Sequence, residues 1–421
     1  MIEISRQGNY IISSDFGAEA IEGTSSFGTN GPLVTFSIEQ INPIYNSFYW
    51  RIEPITGSHD DFWEDFFSNF IGGEPADAFD NSGFTSGFVE LKLNPDSVPE
   101  YDEQFRISFY LSAVDPSFGR APVASAVFSI VDDDPFVLTG GEEDNAFTGG
   151  SGNDILSGGG GADTLFGARG DDILSGGVGA DVLDGGEGSD TYYADEADAL
   201  ADTGTSGTDT VIVTFTGGTA TSNTYYLPGS IENLVLGGNV AIGAGNSSAN
   251  YMQGNELMNA LYGGDGADTL VGLGGQDWLQ GDAGADFIYG GTEDDVIGGG
   301  ADADWLLGED GNDAIWGDDG NDVISGGSGS DYIIGGIGYD LLYGGEGNDV
   351  FVVARVDQED IIFGEAGADT VYFADRASAE LSSIAQTGNG YTTISFTDGH
   401  FASVTGIEWI QFADAGWAIA S

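Results

Sequence analysis

The stretch GGDGADTLVGLGGQDWLQGDAGADFIY, residues 263–289, decides the fold. It is a nine-residue unit, G-G-x-G-x-D-x-U-x, written three times, with U a large apolar residue. Position six holds Asp268, Asp277 and Asp286, and position eight holds Leu270, Leu279 and Ile288. Outward from this stretch the register runs unbroken through twelve units, from Gly245 to Val352. An earlier block opens at Gly140 and recurs at Gly149, Gly158, Gly167, Gly176 and Gly185. A Gly- and Asp-rich tract without a fixed apolar position would read as low-complexity disorder. Here position eight is apolar in every unit of the long block, from Met252 to Phe351. A periodic apolar residue between fixed turns is what a solenoid requires.

The unit divides into a six-residue turn and a three-residue strand. Glycine in the turn permits backbone angles that a side chain forbids and lets carbonyls approach a ligand closely. The strand points U inward and its neighbours outward. Two units make one turn of a roll, so residues 18 apart stack. Asp268, Asp286, Asp304, Asp322 and Asp340 then form one column. Asp277, Asp295, Asp313, Asp331 and Asp349 form the other. Carboxylates stacked at strand spacing, ~4.8 Å, repel unless cations sit between them. Ca2+ takes six to eight oxygen ligands, and carbonyls with carboxylates supply them. Metal binding and folding are therefore expected to be one event, in the ~10⁻⁴–10⁻³ M affinity class of extracellular modules.

The whole composition agrees. The chain has 421 residues, with 70 Asp plus Glu against 8 Lys plus Arg, for a net charge of -62. So few basic residues cannot build a phosphate-binding patch, so nucleic acid is excluded as a partner. Disorder fits poorly, because 40% of residues are hydrophobic. There is no Cys, so neither disulfides nor thiolate metal sites are available. The N-terminus MIEISRQGNYIIS has neither a basic nor an apolar leader region. No stretch is apolar over ~18 residues, so no transmembrane segment is expected. Low cytosolic calcium then favours a secreted, extracellular protein, with association at the cell surface as an option.

The fold class expected is all-β: an N-terminal β-sandwich, then a calcium-bound parallel β-roll in two blocks, then a C-terminal β cap. The expected domains are 1–134 (sandwich), 135–193 (first roll block), 194–244 (β-rich spacer), 245–352 (second roll block) and 353–421 (cap and secretion signal). Alternating strands in the first region are LVTFSIEQI, SFYWRIEPI, GFVELKLN, QFRISFYLSAV and ASAVFSIVDDD. With no helical period to compete, a sandwich is the default.

Over residues 138–421 the sequence resembles the RTX proteins, which carry this nonapeptide. The resemblance implies calcium held between adjacent turns by turn carbonyls and the sixth-position Asp. The implied ligands in the first block are Asp154, Asp163, Asp172, Asp181 and Asp190. In the second they are the ten Asp residues of the two columns, with Asp369 serving an isolated repeat. The spacer also resembles RTX linkers that lead into a fresh roll. Such proteins are typically exported by a type I system reading an uncleaved C-terminal signal. Residues 1–134 resemble a Calx-β domain in the order IEGTSS, HDDFWEDF, PEYDEQFRISF and VDDDP. That resemblance implies calcium ligands among Glu22, Asp61, Glu103, Asp132, Asp133 and Asp134.

Some units depart from the pattern. Asn145, Asn250 and Asn259 replace Asp at position six, as expected of weak or absent sites at block starts. Glu293 and Asp302 replace the fourth Gly, and Arg169 brings a positive charge into a turn.

No catalytic constellation is evident. The two histidines, His59 and His400, are far apart in sequence, and there is no H-E-x-x-H, G-x-S-x-G or Cys nucleophile. Outward strand positions are unusually apolar, with Phe287/Tyr289, Trp305/Leu307 and Leu341/Tyr343 on one sheet and Trp278 and Trp316 on the other. An apolar face of this length either packs within the molecule or meets another one. The functional expectation is a secreted, non-catalytic structural protein, such as a surface-layer, adhesin or matrix component, folded and assembled by calcium. The alternative is a module binding polysaccharide or a protein partner; the third reading is an unrecognised enzyme.

Overall fold

A computed structural model of the chain describes residues 135–214, 224–354, 359–387 and 390–414, together with the backbone alone of the strands between Ile2 and Val131 and of Gly416–Ala418. The repeat gives one strand per unit, and successive strands alternate between two parallel sheets. Thr269–Gly274 pairs with Phe287–Thr292, setting Leu270 opposite Ile288. Ala260–Asp265 pairs with Trp278–Ala283, setting Leu261 opposite Leu279. Residues 18 apart are thus neighbours. The result is a parallel β-solenoid of about 12 turns over residues 137–373.

The reason is the alternation of burial. In Tyr332–Ile337 the outward Tyr332 is exposed while Ile333 and Gly335 are buried. Leu270, Ile288, Leu306, Ile324 and Leu342 stack on one side of the core, and Leu279, Ile297, Ile315, Ile333 and Phe351 on the other, all fully buried. The ladder is longer than the three-residue strand expected. It covers positions seven to nine, skips one and resumes at two and three, as Leu273 opposite Gly291 and Gly274 opposite Thr292 illustrate. The turn's early glycines therefore belong to the sheets.

One of the two sheets is continuous across the two repeat blocks, whereas among the described residues the other is divided, four strands ending at Ala199–Ala201 and eleven beginning at Thr224–Tyr226. One 16-stranded sheet runs through Ile173–Val178, Thr191–Ala194, Thr210–Val213, Asn233–Leu236, Tyr251–Gln253 and Thr269–Gly274. The segment 194–244 is β-rich as expected, and its strands are rungs of the same solenoid. Val211 and Leu234 fill the inward slot that U fills elsewhere. Turn length varies there: Val182 lies opposite Ala199, Thr191 opposite Thr210, and Thr210 opposite Asn233. An apolar inward residue keeps a rung in the roll even where the glycine turn is lost.

Beyond Phe373 both sheets continue, through Phe401–Thr405 and Trp409–Phe412, and then turn antiparallel. Phe373, Phe396 and Phe412 close the end of the core as an aromatic cluster. Arg376 is buried over the Phe396 ring at 4.2 Å and donates to Asp398 at 2.9 Å. Before the roll, the described strands form a four-stranded antiparallel sheet and a five-stranded sheet, with the five expected segments each falling on a strand. Glu103 opens the strand Glu103–Leu111. Glu22, Asp61, Asp132, Asp133 and Asp134 lie outside the described residues.

The apolar outer face is partly covered. Tyr343 stacks on Phe363 at 4.8 Å, and Tyr391 of the C-terminal hairpin meets Phe363 edge-on. In mid-roll, Phe287 and Trp305 touch each other, with ring centroids 5.9 Å apart, and remain 44% and 52% exposed.

Candidate metal sites along two aspartate columns

Each sixth-position Asp closes the turn before its own. Asp286 Oδ1 accepts from the backbone N–H of Asp268 at 2.7 Å, Asp304 Oδ1 from Asp286, and Asp322 Oδ1 from Asp304. The second column repeats this through Asp277, Asp295, Asp313, Asp331, Asp349 and Asp369. The side chains are almost wholly buried. Their other oxygen is different. Oδ2 is buried without a hydrogen-bond partner in Asp163, Asp172, Asp181 and Asp190, in all ten Asp residues of the long block, and in Asp369.

The first-position glycine lies against that oxygen. A Cβ added to Gly290 would sit 2.5 Å from Asp295 Oδ2 and 2.7 Å from the carbonyl oxygen of Gly308, one turn on. Gly263, Gly281 and Gly299 face the same pair of oxygens in their own turns. The turn therefore converges a carboxylate oxygen and a carbonyl oxygen on space only glycine leaves open. Position two lies in the left-handed region, as at Gly291 (φ 121) and Gly300 (φ 117). Glu293 (φ 74) and Asp302 (φ 79) hold the same region at position four despite their side chains. The fold imposes that angle, against a bias of roughly 1–2 kcal/mol per residue.

Burial pushes Asp295 and Asp304 up to about 7. The amide of the preceding turn opposes the shift, and the neighbouring carboxylates, including those one turn away, add to it. Burial likewise raises Asp286 and Asp331 to about 6. A buried, half-satisfied carboxylate demands either a proton or a cation. The donors are all oxygen, the preference of a hard ion such as Ca2+ and unlike that of a zinc site. Among the described residues no three acidic or histidine side chains converge on one point. The remaining ligands would therefore be backbone carbonyls, such as the Gly308 carbonyl beside Asp295 Oδ2. The residues fit calcium on these grounds.

Not every expected ligand is alike. Asp154 accepts through both oxygens, from Phe136 N–H and Gly150 N–H, at 2.6 Å each. Arg169 is exposed at a strand end, in register with Glu187, rather than inside its turn. The columns also include residues that the repeat did not mark. Asp198 accepts from Asp181 N–H, Asp209 from Asp190 N–H, Glu232 from Asp209 N–H, Asp360 from Asp340 N–H and Glu408 from Asp369 N–H. For three of them a signal was present: Asp198, Asp209 and Asp360 each begin a D-x-U-x strand without the preceding G-G-x-G.

A parallel β-roll with buried, half-satisfied carboxylates along its turns belongs to the all-β solenoids, and its donor set fits bound cations. Comparison with known families gives the particular kind. The RTX calcium-binding nonapeptide repeat (4 copies) matches residues 139–174, 166–198, 262–297, 298–333, 325–354 and 357–375. The chain thus carries RTX calcium-binding repeats, and these matches fall on the rungs whose Asp Oδ2 atoms lack partners. No curated protein matches the chain.

Proposed function

We propose that this is a secreted protein whose roll is wound by calcium, and that its role is structural rather than catalytic. One observation carries the calcium reading: the row of buried Asp Oδ2 atoms, each beside a first-position glycine and none with a partner. The proposed ligands are Asp163, Asp172, Asp181, Asp190, Asp369 and the ten Asp residues of the long block, each with turn carbonyls. Asp154 is a weaker member, because both its oxygens are already engaged. Calcium between turns neutralises the columns and turns a chain of charge -62 into a stiff rod. The chain's shortage of basic residues leaves few internal counter-charges, which favours this reading.

Extracellular calcium suits such a device, and export by a type I system fits the repeats. A domain division at 134, 193, 244 and 352 is retained as a proposal about sequence modules, while the rungs themselves run through 194–244. Residues 1–134 are proposed as a Calx-β-like unit, with Glu22, Asp61, Glu103 and Asp132–Asp134 as its candidate ligands. The exposed Phe287, Trp305 and Trp278 support a role in contacts, either between copies of the chain or with a surface polysaccharide or protein. Size-exclusion chromatography of the whole chain with and without calcium separates these. Calcium-dependent polymers support a surface-layer, adhesin or matrix component. A calcium-loaded monomer contradicts self-assembly and leaves the binding module.

A further inference from the structure

We propose that the two turns Gly245–Asn250 and Gly254–Asn259 form a cation-independent seed, from which the calcium-dependent roll extends in both directions. The inference rests on the calcium reading of the Asp turns and adds to it. Both seed turns read G-N-x-x-x-N, GNSSAN and GNELMN, with Asn at position two as well as position six.

Their chemistry differs from that of every neighbouring Asp turn. Asn246 Nδ2 donates to the carbonyls of Pro228 and Ile231, both at 2.8 Å. Its Oδ1 accepts from Ser248 N–H at 2.8 Å. Asn250 Oδ1 accepts from Asn246 N–H at 2.8 Å, and its Nδ2 donates to the carbonyl of Glu232 at 3.1 Å. The second turn repeats the scheme. Asn255 Nδ2 donates to Val240 O at 3.0 Å, and its Oδ1 accepts from Leu257 N–H at 2.9 Å. Asn259 Oδ1 accepts from Asn255 N–H at 2.6 Å, and its Nδ2 donates to Val240 O at 3.1 Å. Beside the first-position glycine, where an Asp leaves Oδ2 without a partner, each Asn places its amide oxygen, which accepts from the position-two N–H, while its amide nitrogen donates to a carbonyl of the preceding rung. Both turns therefore close with their buried polar groups paired and with no charge at position six, and satisfied networks of this kind stand on their own.

The backbone agrees. Positions two and four of the Asp turns repeatedly take positive φ, whereas Asn246, Ser248, Asn255 and Leu257 do not. The seed turns thus need no left-handed glycine, and ordering them costs less entropy. Their rungs are filled by Leu234, Leu236, Val240, Met252 and Leu261, all buried.

The seed also presents a template. Asn250 N–H donates to Asp268 Oδ1 and Asn259 N–H to Asp277 Oδ1, both at 2.7 Å. These are the first carboxylates of the two long columns. On the other side Glu232 accepts from Asp209 N–H at 2.9 Å. A solenoid grows by nearest-neighbour addition, so a closed rung lowers the cost of the next. In this chain the rungs that need no ion lie in the interior of the roll, between two arms that do.

Hydrogen exchange by mass spectrometry on the full chain, across a series of free calcium concentrations, tests this. Strands 233–236, 242–244, 251–253 and 260–262 should already be protected in metal-free buffer, where 296–352 is not, and 296–352 should gain protection only as calcium rises. Equal or later protection of the centre would overturn the seed. Full protection of 296–352 in metal-free buffer would instead overturn the calcium reading on which it rests. The variant N246G/N250D/N255G/N259D rewrites both turns as Gly/Asp turns. It should raise the calcium midpoint of the whole roll about tenfold, with the same circular dichroism at saturating calcium. An unchanged or lower midpoint contradicts the proposal. Should the variant not fold even at saturating calcium, the order of protection in the wild-type chain decides alone.

Discussion

A carboxylate with one oxygen bound and the other buried bare is unstable as an anion at neutral pH. This residue-scale fact drives everything above it. Asp304 Oδ1 takes the Asp286 N–H, and its Oδ2 faces Gly299 and the Gly317 carbonyl. Asp304→Asn should keep the first contact and remove the charge, lowering calcium-loaded stability by about 1–3 kcal/mol. Gly299→Ala should do at least as much harm, because its Cβ occupies the space beside Oδ2. Thermal melts in calcium check both, and unchanged melts would contradict ligation at this turn. The acid response follows from the same oxygen. Asp295 and Asp304 rise from 3.8 to about 7 in the folded, metal-free chain. A raised folded value means that protonation stabilises the fold. That contribution is complete below about pH 4 and is lost as pH rises through 6 to 7. Metal-free protein moved from pH 7.5 to pH 5 should therefore gain β-structure by circular dichroism, and a loss on acidification would contradict the shift.

At the scale of the strand, inside and outside are separated by one residue. Leu306 is 0% exposed and its neighbour Trp305 is 52% exposed. Leu306→Ala should cost about 2–5 kcal/mol of calcium-loaded stability. Replacing Trp305 and Tyr289 with Ser should leave melting nearly unchanged and weaken assembly, read by size exclusion. Lost melting stability with unchanged assembly would mean that the face packs within the molecule. The inward column was legible in the sequence because position eight recurs every nine residues with no exception in the long block. The Asp columns were legible for the same reason. The rungs of 194–244 were not, because 17-, 19- and 23-residue offsets destroy the period while the D-x-U-x strand survives. The missing charge alone marks Asn250 and Asn259 as weak sites. Their second role, as amide clamps, depends on Asn246 and Asn255 at position two and on carbonyls of the preceding rungs, partners that no local pattern reveals. Glu232 and Glu408 stand at the same place, one residue before an x-U-x strand, but Glu in place of Asp breaks the D-x-U-x signal.

Across the whole molecule, one sheet of 16 strands carries the roll from Val137 to the antiparallel cap. The apolar column alone would hold such a rod together, and the aspartate columns alone would drive it apart. The -62 charge sets the balance. Aromatic packing of Phe373, Phe396 and Phe412 seals the C-terminal end of the core, so the last rung is not a bare edge. The interior Asn turns hold register where the repeat lapses. On this account calcium is a structural component of the rod rather than an accessory to it. The most direct measurement is far-UV circular dichroism of the full chain in metal-free buffer at pH 7.5, followed by calcium titration to millimolar concentrations. The account predicts little β-signal without metal and a steep, cooperative gain as calcium rises, reversed by chelator. A full β-spectrum that neither calcium nor chelator alters would contradict it.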